Sequence, residues 1–169
     1  MTDAERFERL WGECSPAVLR YAARRVTGTA ADDVVAETFV VAWRRLAEVP
    51  EPALPWLLGV ARGVAANSQR SVNRQSALAF RVAAQPSHLP EPAGTDYDGE
   101  VLLALSRLSE ADRELLTLIA WDGLEPHEAA EVLACSAMTL RVRLSRARGR
   151  LRKSFDEIAS VRAAEMETR

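Results

Sequence analysis

Seven basic residues and no acidic one lie between Ser136 and Lys153. They are Arg141, Arg143, Arg146, Arg148, Arg150, Arg152 and Lys153. The chemistry such a set can do is anion binding: guanidinium groups take phosphate oxygens and the acceptor edge of guanine in paired hydrogen bonds. The segment sits in an otherwise acidic chain. Residues 99–135 hold 2 basic and 8 acidic residues, and the 169-residue protein carries a net charge of −2. A local basic stripe of this kind predicts one focused nucleic-acid contact, not a protein that coats DNA. Bond-making chemistry has far less to work with. The only histidines are His88 and His127, and the only cysteines Cys14 and Cys135. No phosphate-cradling glycine loop, paired carboxylates or nucleophile–base pair is present. The chain is expected to have no catalytic residue, no metal site and no cofactor, and two cysteines make no disulfide framework. Both are expected to be core thiols in a reducing, cytoplasmic setting.

The elements that must position these arginines are helical. Ser136 is placed to cap a helix running to about Phe155. At about 100° per residue, Leu140, Leu144, Ala147 and Leu151 form one inward stripe. Arg141, Val142, Ser145 and Arg146 fall on the opposite side, and Arg143, Arg148, Arg150 and Arg152 flank the stripe. An apolar Val142 facing outward on a basic helix suits a thymine methyl in the major groove, with Arg141 or Arg146 reaching guanine or phosphate. The alternative is a solvated basic helix carrying one stray valine. A short helix from Pro126, with Ala129, Val132 and Leu133 inward, precedes it across the turn Ala134-Cys135. Two short helices joined by a tight turn, the second one basic, make a helix-turn-helix. Ahead of them, Val101, Leu102 and Leu105 mark one helix. Ser109 and Asp112 cap another, with Leu115, Leu116 and Ile119 inward and Gly123 at its end.

The first half repeats the helical pattern. Thr2 and Glu5 form a capping box, and Phe7, Leu10, Trp11 and Cys14 follow at helical steps. Ser15-Pro16 predicts a restart or kink, after which Val18, Tyr21, Ala22 and Val26 continue to Gly28. Thr29 is expected to cap the next helix, with Asp32 and Asp33 in its first turn and Val35, Phe39, Ala42, Trp43 and Leu46 inward. Pro50 and Pro52 end it. A third helix starts near Pro55, packs through Leu57, Val60, Ala61 and Val64, and fades near Val72. Gly59 and Gly63 suggest close helix packing. The four tryptophans are read as core, with Trp56 the one candidate to face a ligand. Residues 73–98, with three prolines in the run QPSHLPEPAGTDYDG, read as a flexible linker. The predicted architecture is therefore all-α: two small helical domains, 1–72 and 99–169, joined by that linker. No apolar run is long enough to span a membrane, and no signal peptide is visible.

At this point three stretches resemble a known family, in the right order. ADDVVAETFVVAWRRL resembles the polymerase-binding helix of bacterial sigma factors, and PWLLGVARGVAANSQR their −10 reading helix. LSEADRELLTLIAWDGLEPHEAAEVLACSAMTLRVRLSRARGRL resembles their −35 reading domain. Length and layout match the extracytoplasmic-function (ECF) group of the sigma-70 family. The resemblance implies a non-enzymatic initiation factor that binds core RNA polymerase and promoter DNA, is held by an anti-sigma factor, and is a monomer when free. Residues 1–72 would be sigma domain 2 and residues 99–169 sigma domain 4. Polymerase binding would fall to Asp33, Glu37, Val40, Val41 and Arg44. The −10 element would fall to Trp56, Arg62, Asn67, Gln69, Arg70 and Arg74, and the −35 element to Ser136, Thr139, Arg141, Val142, Arg143, Ser145 and Arg146. The chain departs from the family pattern at Ala36, often Gln, at Gly63, commonly Asn, and at Ala134, usually Gly. A second function class remains open: a dimeric helix-turn-helix regulator that binds duplex DNA at two half-sites without polymerase.

Overall fold

The computed structural model describes residues 2–78 and 99–167, with side chains over 2–71, 99–161 and at 163. The elements are α1 (Asp3–Ala23), α2 (Ala30–Arg44), a 3-10 turn (Leu46–Glu48), α3 (Leu54–Leu78), α4 (Gly99–Ser106), α5 (Glu110–Ala120), α6 (Pro126–Val132) and α7 (Ala137–Glu167). There is no strand among the described residues. The chain divides into two compact units, one built from α1–α3 and the other from α4–α7. The expected linker lies outside the described residues from 79 to 98. Its first residues continue α3, which runs on to Leu78 instead of fading near Val72.

In the first unit the three helices pack mutually around Val18, Tyr21, Ala22, Val34, Phe39, Ala42, Leu57, Leu58 and Ala61, all enclosed. Burying each large apolar side chain stabilises the unit by about 1.5–3 kcal/mol. The capping box at the start of α1 is formed: Glu5 N–H donates to Thr2 Oγ1 (3.2 Å), and Thr2 N–H donates to Glu5 Oε2 (2.7 Å). Pro16 does not restart the helix; α1 runs through it. The proline removes only the bond to the carbonyl of Gly12. Both residues are exposed, so water can reach that carbonyl, while Cys14, Ala17 and Val18 hold the helix to the core on its other side. Thr29 occupies the N-cap position of α2 but makes no side-chain cap. The first turn closes instead through Asp32 N–H donating to the Thr29 carbonyl at 3.1 Å.

In the second unit α4, α5 and α6 each pack on α7. Ser109 caps α5 as expected, accepting from Asp112 N–H at 3.2 Å. Leu118 is fully buried and Ile119 half-buried, the reverse of the expected emphasis. Helix α7 passes Phe155 and reaches Glu167, and beyond Phe155 it still covers the core at Ile158. Ser154 and Ile158 are buried, and Ser154 Oγ donates to the Ala104 carbonyl of α4 at 3.3 Å.

Candidate nucleic-acid and polymerase interfaces

The helix-turn-helix is built from α6, a four-residue turn (residues 133–136) and α7. Pro126 opens α6, and Glu125 N–H donates to Glu128 Oε2 at 2.7 Å, completing a capping box. At its other end Ala134 adopts a positive φ of 49°. Ala134 N–H donates to the Glu131 carbonyl (3.1 Å) and Cys135 N–H to the Ala130 carbonyl (3.0 Å). This is a Schellman closure with alanine where glycine is ordinarily found. Ser136 Oγ then accepts from Thr139 N–H (3.1 Å) and shares a hydrogen bond with Thr139 Oγ1 (2.8 Å). Two of the expected −35 hydroxyls, Ser136 and Thr139, are therefore engaged with each other at the start of α7, where they fix its entry.

Along α7, Leu140, Leu144 and Ala147 are buried, and Arg141, Val142, Ser145 and Arg146 are exposed, as the helical spacing predicts. Arg143 is half-buried, as is Leu151. Sequence reasoning missed Met138, which is 78% exposed one turn before Val142, itself 45% exposed. The signal that could have found it is the four-residue spacing between the two. A cleft of about 670 Å³ runs between the start of α6 and α7, lined by His127, Arg141, Ser145, Arg148 and Arg152. Arg141 thus stands at the edge of the outward face, beside the basic row that continues to Arg152. Arg150 is engaged within the fold. Its Nε and Nη2 donate to Asp112 Oδ2 and Oδ1 at 2.6 and 2.7 Å, tying α7 to α5. The Arg150 hydrogen bonds, helped by Ser109, hold the Asp112 carboxyl below its ordinary range against the opposing effect of burial.

On α3 the inward face is Leu57, Leu58, Ala61, Val64 and Ala65, so Val60 is peripheral. Trp56, Gly63, Asn67 and Arg70 follow one another at helical spacing on the other side. Arg70 Nη2 donates to Asn67 Oδ1 at 2.5 Å. Gln69 is exposed, and its Nε2 donates to the Arg25 carbonyl at the end of α1, so it positions α3. Arg62 is half-buried at the edge of the row. The Arg74 side chain lies outside the described residues. Trp56 is half-buried, with the Arg45 guanidinium 5.5 Å from its ring centroid, and Arg45 in turn pairs with Glu48. A Cβ built on Gly63 meets nothing within 4 Å. Close packing at that glycine is therefore not the reason for it, and the position faces open space on the expected −10 surface.

On α2, Asp33, Glu37, Val40 and Arg44 are exposed and Val41 is half-buried. The tryptophans correct the expectation that they fill the core. Trp43 is 50% and Trp11 44% exposed, beside Val40 at 46%. Each stands edge-on to an inner ring: Trp43 to Phe7 at 5.1 Å, Trp11 to Phe39 at 4.6 Å. The half-exposed rings extend the α2 surface onto α1, giving an apolar patch rimmed by Asp33, Glu37 and Arg44. Exposed apolar side chains rimmed by charges are the pattern of an interaction surface. Cys14 is buried, and burial, with Glu13 and Glu51 nearby, pushes its thiol up; Cys135 is half-buried. Among the described residues no cluster of His, Cys, Asp and Glu could hold a metal ion.

Comparison with known proteins gives the family to which the chain belongs. The sigma-70 region 2 family matches residues 10–75, and the sigma-70 region 4 family matches residues 98–151. The ECF RNA polymerase sigma factor SigC of Mycobacterium tuberculosis is 32% identical over 143 residues, covering 79% of this chain and 75% of that protein. The chain belongs to the ECF group of the sigma-70 family. The probable RNA polymerase sigma factor RfaY of Xanthomonas campestris pv. campestris is 35% identical over 136 residues, covering 75% of this chain; the match spans only 34% of that longer protein. The fold also matches a solved structure, the sigma factor RpoE in complex with the anti-sigma factor NepR from Bartonella quintana. The TM-score is 0.67 at 24% identity, over 89% of this chain and 96% of that one. Sigma factors are initiation factors without enzymatic chemistry of their own. In this sigma factor the region 4 match contains α6, the turn and α7 as far as Leu151, and the region 2 match contains α2 with most of α3. No helix among the described residues is long and apolar enough to cross a membrane.

Proposed function

We propose that this sigma factor binds core RNA polymerase through the α1–α2 patch and directs it to promoters read at two elements. Asp33, Glu37, Val40, Val41 and Arg44 make the polymerase contact, with Trp11 and Trp43 supplying apolar area beside them. The −10 element falls to the outer row of α3, chiefly Asn67, Arg70 and Arg74 with Trp56, because donors and a ring are what hold unstacked bases. Arg62 supports this row from its edge. The −35 element falls to the first turns of α7, through Arg141, Val142, Arg143, Ser145 and Arg146. Residues 1–72 act as sigma domain 2 and residues 99–169 as sigma domain 4, joined by 73–98. The observation that carries the reading is that one chain holds both a charged-rim apolar patch on α2 and a basic helix-turn-helix, each inside its own sigma-70 region.

The protein acts in the cytoplasm, where the polymerase is, as a monomer when free, without cofactor. An anti-sigma factor holds it in reserve; the Bartonella relative of the same fold is seen in such a complex. The dimeric-regulator alternative is separated by a binding titration. Labelled duplex promoter is titrated with the full chain, with and without core polymerase. The sigma reading expects tight binding only with core present. Tight binding without polymerase, at two half-sites one helical turn apart, would support the regulator instead.

A further inference from the structure

We infer that Met138 and Val142 form a thymine-methyl reader on the −35 helix, separate from the row of α7 that follows the DNA backbone. The inference rests on the proposed −35 role of α7 and names what that role recognises. The two side chains stand four residues apart, one above the other on the first turns of α7, and are 78% and 45% exposed. The side chains around them are polar: Thr139, Arg141, Ser145 and Arg146. Two large aliphatic groups left in water on a surface with no acid between Ser136 and Ser154 call for an apolar partner that is itself carried on a polyanion. In the major groove of duplex DNA the apolar group on the base edges is the thymine C5-methyl. Four helical residues rise about 6 Å, and successive bases on a strand are about 3.4 Å apart. The pair therefore matches methyl groups on neighbouring or next-but-one base pairs.

The second row of the helix supports the division. Arg141, Ser145, Arg148 and Arg152 line the cleft toward α6 together with His127. Cationic groups on the wall of a cleft suit a phosphate track, which positions the domain without reading sequence. Met138 and Val142 are not among that lining and continue along the helix to Arg146. The apolar pair and Arg146 thus form the row free to meet base edges. An apolar protein partner is the competing occupant; the arginine surround favours DNA.

Deoxyuridine lacks only the thymine methyl, so it tests the inference directly. A promoter chosen from a randomised −35 library is bound by core polymerase with the full chain, and each −35 thymine on either strand is replaced by deoxyuridine in turn. The wild type is expected to lose about three- to fivefold in affinity at one or two positions, the worth of a single buried methyl. Met138→Ala should abolish the penalty at one position and Val142→Ala at the other. Circular dichroism of both variants checks that α7 is intact. Indifference of the wild type at every thymine, or an unchanged penalty in both variants, would overturn the inference. Promoter-dependent binding of the unmodified DNA would still stand in that case, so failure here is distinct from failure of the sigma reading.

Discussion

Arg150 grips Asp112 with two hydrogen bonds, 2.6 and 2.7 Å, across 38 residues of sequence. The pair fastens α7, the proposed −35 helix, to α5. An arginine in the middle of the proposed −35 helix is thereby committed to a partner within the protein. Its removal should not resemble the removal of a phosphate contact. Arg148→Ala should make the slope of log affinity against log salt shallower by about 0.9, the value for one neutralised phosphate. Arg150→Ala should leave that slope unchanged while lowering thermal stability. Equal effects of the two variants on the slope would return Arg150 to the DNA surface.

The same pair sets a pH dependence. The Asp112 carboxyl is held below its ordinary range by Arg150. A depressed folded-state value means that the stabilisation is present above the unfolded value of about 3.9 and disappears as pH falls through the folded one. Asp112→Asn should therefore be less stable than the wild type at pH 7, and the gap should close below about pH 4. Thermal unfolding of both proteins across that range checks this; a gap that persists at low pH would contradict it.

Ala134 occupies the left-handed region at φ 49°. A residue with a Cβ there costs about 1–2 kcal/mol relative to glycine, partly offset by the greater freedom of glycine in the unfolded chain. Ala134→Gly should stabilise the second unit by about 1 kcal/mol, raising its melting temperature by roughly 4–8 °C. Differential scanning calorimetry measures it, and a decrease would show that the turn depends on alanine.

Gly63 is exposed in the interior of α3 with nothing near its missing Cβ. Gly63→Ala should stabilise the helix by about 0.5–1 kcal/mol. Gly63→Asn, which restores the residue common in the family, should be tolerated and alter which −10 sequences are opened. Chemical denaturation reads the first effect, and promoter opening on a −10 library the second.

Glu37 is exposed in mid-α2 beside the Val40–Trp43 patch. Glu37→Arg should weaken core-polymerase binding by roughly tenfold, since reversing a charge at a complementary interface costs more than deleting it. Helicity should be unchanged. Unaltered affinity in a titration would remove this helix from the interface.

Periodicity made the inward stripe of α7 legible, and capping chemistry placed the starts of α1, α5, α6 and α7. These signals are local, and the residues that carry them meet partners within one or two turns. Features that depend on distant contacts were not legible. The Asp112–Arg150 pair needs the crossing of α5 and α7. Trp43 has the spacing of a core residue, but the rim of the core passes through it, and spacing alone does not say how wide a core is. Pro16 reads as a restart or kink because the rule considers one hydrogen bond, whereas tertiary packing on both sides of it carries the helix through. Met138 was legible only through its four-residue spacing from Val142, since the first turn of a helix gives too few residues to define a face by itself.

Mapping of transcription starts on genomic DNA, with core polymerase alone and with the purified chain added, tests the central claim most directly. The account predicts new starts that share two conserved elements upstream and are absent with core alone, and a change in the shared −35 sequence when Val142→Ser or Arg146→Ala replaces the wild type. A chain that associates with core polymerase yet produces no new starts, or that shields paired duplex half-sites with no polymerase present, would contradict it.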